Sequence, residues 1–593
     1  MKSSLGSKKD DNSGNSNESA VTGALCKIAG GISSFSEKIE HIPGKMPERI
    51  AIALYFIGHL LMMLVHEPWF DEALAWLIAR DSSLYEIMFV TPRYEGHPAL
   101  WHLVLAPFAK AGASYELSLN LISLLFSGIA VIIFIFKSPF KRLIRLLIPF
   151  TYFIFYQYSI ISRPYSMMML AFVLAALTCK ERDKKPGHFV LSLCFLCSTS
   201  AYGIVIAGGI CIAWILTTFK DGLLKKGKVF WFTGILAYAI FIIIRIVPAE
   251  DAYAIISRNP EEQTSIFMRL VYTFFGIVGD SFFTDTYSRT DTLKTTVFPI
   301  TGLIVSVVVG TLIIGVIIYF SQKKKMLLEF LIPYVMLSVF MAVVYLYNTH
   351  IGVMFMFLGF WAWVLKDQEL KTGNAGENII IPDSTKDTAT KEKKLSNNIQ
   401  ILTHMAKILT AASFVLLIYW NISSCVCDIL CEYGCGRNEY EFLEEYGLEK
   451  SNILPEWNIL SDINTENSIE RVSRESLLMS KYGICIAPYL ENRYPLNSPE
   501  IIGDSYAYTH RFVKEEQLAG QLEKMRNCGE PDVLLGIPDL EMVYHNREIN
   551  LANYTKVYEK RASVIFKGVQ GPDTSVFYVR NDLVKEKSIV EQI

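Results

Sequence analysis

The sequence predicts an α-helical polytopic membrane protein of about eleven spans, with outer juxtamembrane helices and a C-terminal extracytoplasmic α/β domain. Three observations carry that prediction. Of the 593 residues, 51% are hydrophobic and only 19% charged, whereas soluble domains carry about a quarter charged residues; mean hydropathy is +0.31. The apolar residues gather in runs near the roughly 20 residues that cross a hydrocarbon core as a helix. Beyond residue 420 the runs shorten and alternate with polar stretches, as in a small α/β domain. The net charge of −2 gives no reason to expect nucleic acid as a partner.

Residues 1–48 read as a cytoplasmic tail that begins MKSSLGSKKDDNSGNSNESA, largely disordered in composition. The membrane domain then covers 49–420. Its first run, 49–66, leads into HEPWFDE, and the next clear run, 116–136, ends in KSPFKRLIR. Basic loops stay in the cytoplasm, so the second run travels inward and the first outward. Runs 143–160 and 165–179 go out and return to KERDKK. Segment 188–219 is too long for one crossing and breaks near Tyr202–Gly203. Runs 229–247, 295–320, 327–346, 351–365 and 402–420 complete the set. This topology leaves a first outer loop at 67–115, an outer loop at 249–294 and a cytoplasmic loop at 366–396. Segment 98–113, HPALWHLVLAPFAKAG, is short and has a Pro near each end, so we read it as a juxtamembrane or re-entrant helix. The protein is thus expected in the plasma membrane as a multi-pass protein, with its N-terminus cytoplasmic.

Residues 421–593 form the expected outer domain. GICIAPYL (483–490), DVLLGIP (532–538), SVIFKGV (563–569) and TSVFYVR (574–580) read as strands, and KEEQLAGQLEKMRNC (514–528) as a helix. Six of the eleven cysteines lie here: Cys425, Cys427, Cys431, Cys435, Cys485 and Cys528. An extracytoplasmic setting permits disulfides. The C-x-C-x3-C-x3-C spacing is not a standard zinc pattern, which leaves disulfides or free thiols as the main readings beside a metal site.

The first outer loop holds the densest polar chemistry. Asp71 and Glu72 follow the first run, and Glu95–Gly96–His97–Pro98 comes later in the same loop. Acids at a membrane rim can be ordinary interfacial decoration. Here, however, they precede ALAWLIA, an apolar stretch expected to lie flat on the membrane surface. The loop is also rich in Trp and Tyr (Trp69, Trp76, Tyr85, Tyr94, Trp101), as interfaces are. A carboxylate beside apolar surface is a good general base. Arg163, in ISRPYS, sits at the outer end of its run; it is either a snorkelling arginine or a clamp on a lipid phosphate, with Tyr165 in support. Arg258 and Arg269 are weaker phosphate candidates. His350, in YNTHIG, reads equally as a structural hydrogen-bonding group or as a ligand for phosphate or metal. Lys110 reads as interfacial.

WFDEALAWLIARD and YEGHPALWHLVLAPFAKAG together resemble the first outer loop of the GT-C-fold glycosyltransferases, a group that includes protein O-mannosyltransferases and lipid A aminoarabinose transferases. In that family an acidic pair follows the first membrane helix, and a later charged residue precedes an HPPL or KPPL element; this chain has EGHPAL, with one Pro. The resemblance is most specific over 49–136, extends through SRPYSMMML (162–170) and NTHIGVMF (348–355), and stops before 421–593. It implies transfer of a sugar from a polyprenyl-phosphate donor in the membrane to an outer glycan, lipid or protein acceptor, usually with inversion. Asp71 matches the catalytic acid and would be the base. Glu72 would position the acceptor or Asp71. Glu95 matches a residue that in some members contacts a metal or the donor, with His97 beside it; a divalent metal ion is compatible with the residues but not required by them. His66 and Glu67 would then only mark where the first span leaves the membrane. Two other classes compete: a transporter or flippase of lipid-linked glycans, and a membrane-anchored cell-envelope binding protein. Transporters place ionisable groups inside spans near the midplane. Here Arg245 is the main such residue, and the acids lie in loops.

Overall fold

The computed structural model describes residues 13–222, 226–250, 252, 264–286, 299–373, 386–431, 433–455, 481–490, 530–536 and 550–592. They are mostly helical. The helices begin with α1 (Ser13–Glu40), α2 (Met46–Met62), α3 (Phe70–Asp81), α4 (Leu84–Phe89), α5 (Pro92–Glu95), α6 (Leu100–Lys110) and α7 (Tyr115–Lys137). α8 (Arg142–Leu147) runs through a short 3-10 turn into a π-helical stretch, Phe153–Ile160, and α9 (Tyr165–Cys179), α10 (Pro186–Cys197), α11 (Ala201–Lys220) and α12 (Lys226–Ile246) follow. Next come α13 (Ile266–Val271), α14 (Ile277–Phe282), α15 (Ile300–Lys323), α16 (Leu327–Val343), α17 (Ile351–Gly373) and α18 (Lys386–Leu430). The C-terminal region adds α19 (Gly436–Glu445), α20 (Lys481–Ile486), α21 (Asn581–Glu586) and four strands, β1 (Ile453–Pro455), β2 (Val533–Gly536), β3 (Tyr554–Phe566) and β4 (Val569–Arg580).

Among the described residues, seven helical segments are long and apolar enough to cross a membrane: 115–137, 142–160, 201–220, 227–246, 300–323, 348–371 and 404–430. The expected run 165–179, the first part of 188–219 and the run 327–346 fold as shorter apolar helices, Tyr165–Cys179, Pro186–Cys197 and Leu327–Val343. The first run becomes α2, which takes Glu48 into its first turn; Arg142 binds that carboxylate at 2.8 Å. The expected break in 188–219 lies at Ser198–Ser200, where Ser200 caps α11 by accepting from the Gly203 amide.

Two apolar cores organise the chain. One is built by α2, α7, the π-helical stretch, α9–α11 and α14–α17. The second joins the first loop to the C-terminal region: α3 and α6 share it with Phe442, Ile484, Val533 and Phe577. This overturns the expectation that ALAWLIA lies flat on a membrane surface, because every residue from Ala73 to Ala79 is at most 6% exposed. Trp76 and Trp101 are each 2% exposed and belong to the same core, whereas Tyr85 stays outside at 68%.

The sheet order is β1-β2-β4-β3, with β1 and β2 parallel and the other pairs antiparallel. GICIAPYL, expected as a strand, instead places its first residues in α20, packed between α3, α19 and β2. A short apolar run buried on several sides has no period that distinguishes strand from helix. The 514–528 segment lies outside the described residues. β3 and β4 are joined by the two-residue turn Lys567–Gly568, whose φ values of +48° and +79° are the left-handed pair that matches strand twist. The tip of this hairpin enters the helical bundle. Lys567 Nζ donates to the carbonyls of Asp280 and Thr284, both at 2.7 Å, and lies 4.3 Å from the Trp420 ring centroid. A Cβ on Gly568 would sit 2.2 Å from Ser423 Oγ, so only glycine fits there.

Candidate active site

Asp71 is the second residue of α3 and Glu72 the third, and the two carboxylates turn to different tasks. Glu72 is fully buried and braces backbone: Oε2 accepts from the Trp69 amide at 3.0 Å, closing the first turn of α3, and Oε1 accepts from the Ser162 amide at 2.6 Å. Asp71 remains 39% exposed and pairs with Arg163, Nη1 to Oδ2 at 2.8 Å. Glu72 therefore locks the backbone immediately before the arginine that Asp71 binds.

Around this pair stand aromatic and imidazole groups. The Arg163 guanidinium lies 5.7 Å from the Tyr165 ring centroid. Burial opposes its charge most, but Asp71, Tyr165, Tyr345 and Glu72 together outweigh it and raise its pKa above the usual arginine value. Tyr165 stacks on Tyr158 at 4.8 Å, and its buried hydroxyl has no hydrogen-bond partner among the described residues. His350 lies 5.8 Å from Tyr165, ring to ring, and 5.3 Å from Tyr345. Its Nδ1 accepts from the Tyr347 amide at 3.0 Å, so Nε2 carries the proton. Tyr202 hydroxyl lies 3.1 Å from the same Nδ1 and donates to the Tyr345 carbonyl at 2.8 Å.

EGHP folds as a helix end and a reversal. Glu95 closes α5, Gly96 takes the left-handed φ of +65° that a helix C-cap favours, and His97 turns towards Arg163. Burial, and then the Arg163 guanidinium, hold the His97 pKa down to about 4, against a smaller opposing pull from Glu95. Its buried Nδ1 has no hydrogen-bond partner among the described residues. A neutral His97 opposes protonation in the folded state, while the unfolded chain takes up that proton below about 6.5. Stability is therefore complete above pH 6.5 and is lost as pH falls towards 4, by at most about 3 kcal/mol from this group. His97→Gln should flatten the thermal midpoint of the detergent-solubilised protein over that window. An unchanged pH slope would remove His97 as its source.

The structure thus brings Asp71, Arg163, Tyr165, His97 and His350 together, with Glu95 behind His97. It does not bring Arg269 to them: that side chain is buried on α13 and donates to the Ala342 carbonyl at 3.0 Å. Arg258 lies outside the described residues. Lys110 donates to the Ser82 carbonyl beyond the end of α3. Arg245 stacks on Phe89 at 4.0 Å. Among the described residues, no three His, Cys, Asp or Glu side chains converge as a metal-ligand set. A crevice of about 1090 Å³ opens at the other end of α3, lined by Leu60, Leu64, Arg80, Glu116 and Tyr489, and does not include the Asp71–Arg163 pair.

Sequence reasoning missed a second polar layer beneath the pair. His66 and Glu67, expected only to mark the end of a span, are 0% and 2% exposed. His66 Nδ1 meets Asp428 Oδ2 at 2.8 Å, and its Nε2 lies 3.6 Å from Glu72 Oε2. Tyr156 hydroxyl donates to the same Asp428 oxygen at 3.0 Å. Glu67 accepts from the Arg437 amide at 2.7 Å, and Arg437 in turn pairs with Glu116. Tyr345 was also missed, although it stands in the same short segment as His350.

The chain matches no protein-family model, no curated protein and no solved structure in the comparisons made.

Proposed function

We propose that the protein is a GT-C-type membrane glycosyltransferase that moves a sugar from a polyprenyl-phosphate donor to an acceptor on the outer face of the membrane. The observation that carries this reading is the Asp71–Arg163 pair: a part-exposed carboxylate held 2.8 Å from an arginine that has aromatic and imidazole groups on its flanks. A base for an acceptor hydroxyl and a cation for a phosphate leaving group are the two charges that such a transfer requires.

Their contact has a mechanistic consequence. In an inverting displacement, nucleophile and leaving group lie on opposite faces of the anomeric carbon, so a base and a phosphate clamp cannot work while bound to each other. The sugar enters between them. Arg163 turns to the phosphate, for which a guanidinium is well suited, and Asp71 is released to the acceptor. Asp71 then takes the hydroxyl proton as the acceptor oxygen bonds to the anomeric carbon and the bond to the polyprenyl phosphate breaks. Glu72 serves as a brace, fixing Ser162 and so the backbone of Arg163. Tyr165, Tyr345, His97 and His350 supply donors and ring faces around the sugar phosphate.

The test is mass spectrometry of polyprenyl-phosphate sugars and surface glycans from a strain lacking the protein. One lipid-linked sugar should accumulate while one glycan loses a single sugar, and the wild-type gene should reverse both. Unchanged lipid-linked sugars and glycans would remove the transferase reading.

A further inference from the structure

Of the six cysteines beyond residue 420, five are described, and none of these five is in a disulfide. Three of them lie on or just beyond the last turns of α18 or bond elsewhere. Cys425 reaches Asn421 Oδ1 at 4.0 Å, Cys427 donates to the Gly568 carbonyl at 3.4 Å, and Cys431 is half-buried just past the helix end. Cys435 and Cys485 differ. Each is 0% exposed, and the two thiols hydrogen-bond to one another. The backbone brings them together independently of the sulfurs, because Gly436 packs so closely on the Cys485 carbonyl that a Cβ would sit 2.2 Å from its oxygen. Cys435 immediately precedes α19, and Cys485 lies in α20.

We propose that Cys435 and Cys485 form a native disulfide that ties α19 to α20. The inference does not depend on the sugar-transfer reading. It depends on this region facing an oxidising compartment, as the basic-loop topology expects. The oxidant is a disulfide of a thiol–disulfide oxidoreductase. One cysteine thiolate attacks it to give a mixed disulfide, and the second thiolate displaces the oxidoreductase sulfur. The two cysteines lose two protons and two electrons in total, and the oxidoreductase leaves as a dithiol. Burial pushes the Cys435 thiol well above its ordinary pKa, so the finished fold holds little thiolate and the exchange belongs to the folding stage. The crosslink closes a loop of about 50 residues, a length at which such a link constrains the unfolded chain strongly.

The experiment uses the full-length wild-type chain in its own membranes. These are dissolved in denaturant with an alkylating reagent and no reductant, then digested and analysed by mass spectrometry. A linked peptide pair carrying Cys435 and Cys485 is expected. Reduction before alkylation should replace it with two separately alkylated peptides. Alkylation of both cysteines without reduction overturns the proposal, and so does a crosslink from either to a different cysteine. No variant is needed, so a folding defect cannot imitate either result.

Discussion

Asp71→Asn should reduce sugar transfer by roughly 10²–10⁴-fold, the range supplied by a positioned general base, while expression and thermal midpoint stay near wild type. The substitution keeps the shape of the side chain and removes its basicity. Asp71 is 39% exposed, and Glu72 rather than Asp71 holds the first turn of α3 and the Ser162 backbone, so the fold has little reason to respond. Donor affinity gives a second readout. On the proposed function, Asp71 would compete with the donor phosphate for Arg163, and an amide would compete less. The variant should therefore bind the lipid-linked sugar at least as tightly as wild type while failing to transfer it. Transfer at the wild-type rate would end the base assignment. A joint loss of binding and transfer would make the pair a structural ion pair.

His66→Leu should destabilise the protein more than any single change at the exposed pair. His66 stands between Asp428 and Glu72, and the His66 and Asp428 side chains are 0% exposed. Removing one member of a buried pair leaves an uncompensated charge and costs about 3–5 kcal/mol. Here two carboxylates would lose the group between them. Measured in detergent, the thermal midpoint should fall, and Asp428→Asn alone should also lower it. The double variant should lose less than the sum, because the second change removes the charge that the first left unpaired. Strictly additive losses would show that the two residues are not coupled. Transfer should fall too, since Glu72 connects this layer to the backbone before Arg163.

Much of the membrane region was legible because hydropathy and basic loops are local signals. Helices 115–137, 300–323 and 348–371 follow directly from apolar runs and their Lys-rich ends. The gathering of Asp71, Arg163 and His350 was legible only through topology, which put three separate segments at one end of the bundle. The buried layer was not legible. His66 is 362 residues from Asp428, and Glu67 is 370 from Arg437, so no local period or spacing links them. The burial of α3 did have a signal. ALAWLIA is apolar all round, and a helix without a polar face is a buried helix; interfacial placement would have required one polar side. The α20 segment failed for a related reason, since a run buried on several sides shows neither a two-residue nor a 3.6-residue repeat.

The burial of α3 also bears on how the protein is made. Its apolar faces are covered by α6 and, from the C-terminal region, by α20, which packs in turn on α19 and the sheet; the β3–β4 turn that pins the sheet into the bundle is formed by residues 567 and 568. A ribosome therefore delivers the first loop long before the C-terminal part of its cover exists, and contacts this distant in sequence close slowly. Until then the helix that carries Asp71 has α6 as a partner but lacks α20. A chain cut short before β4 would lack both the sheet behind α20 and the Lys567 anchor to the Asp280 and Thr284 carbonyls.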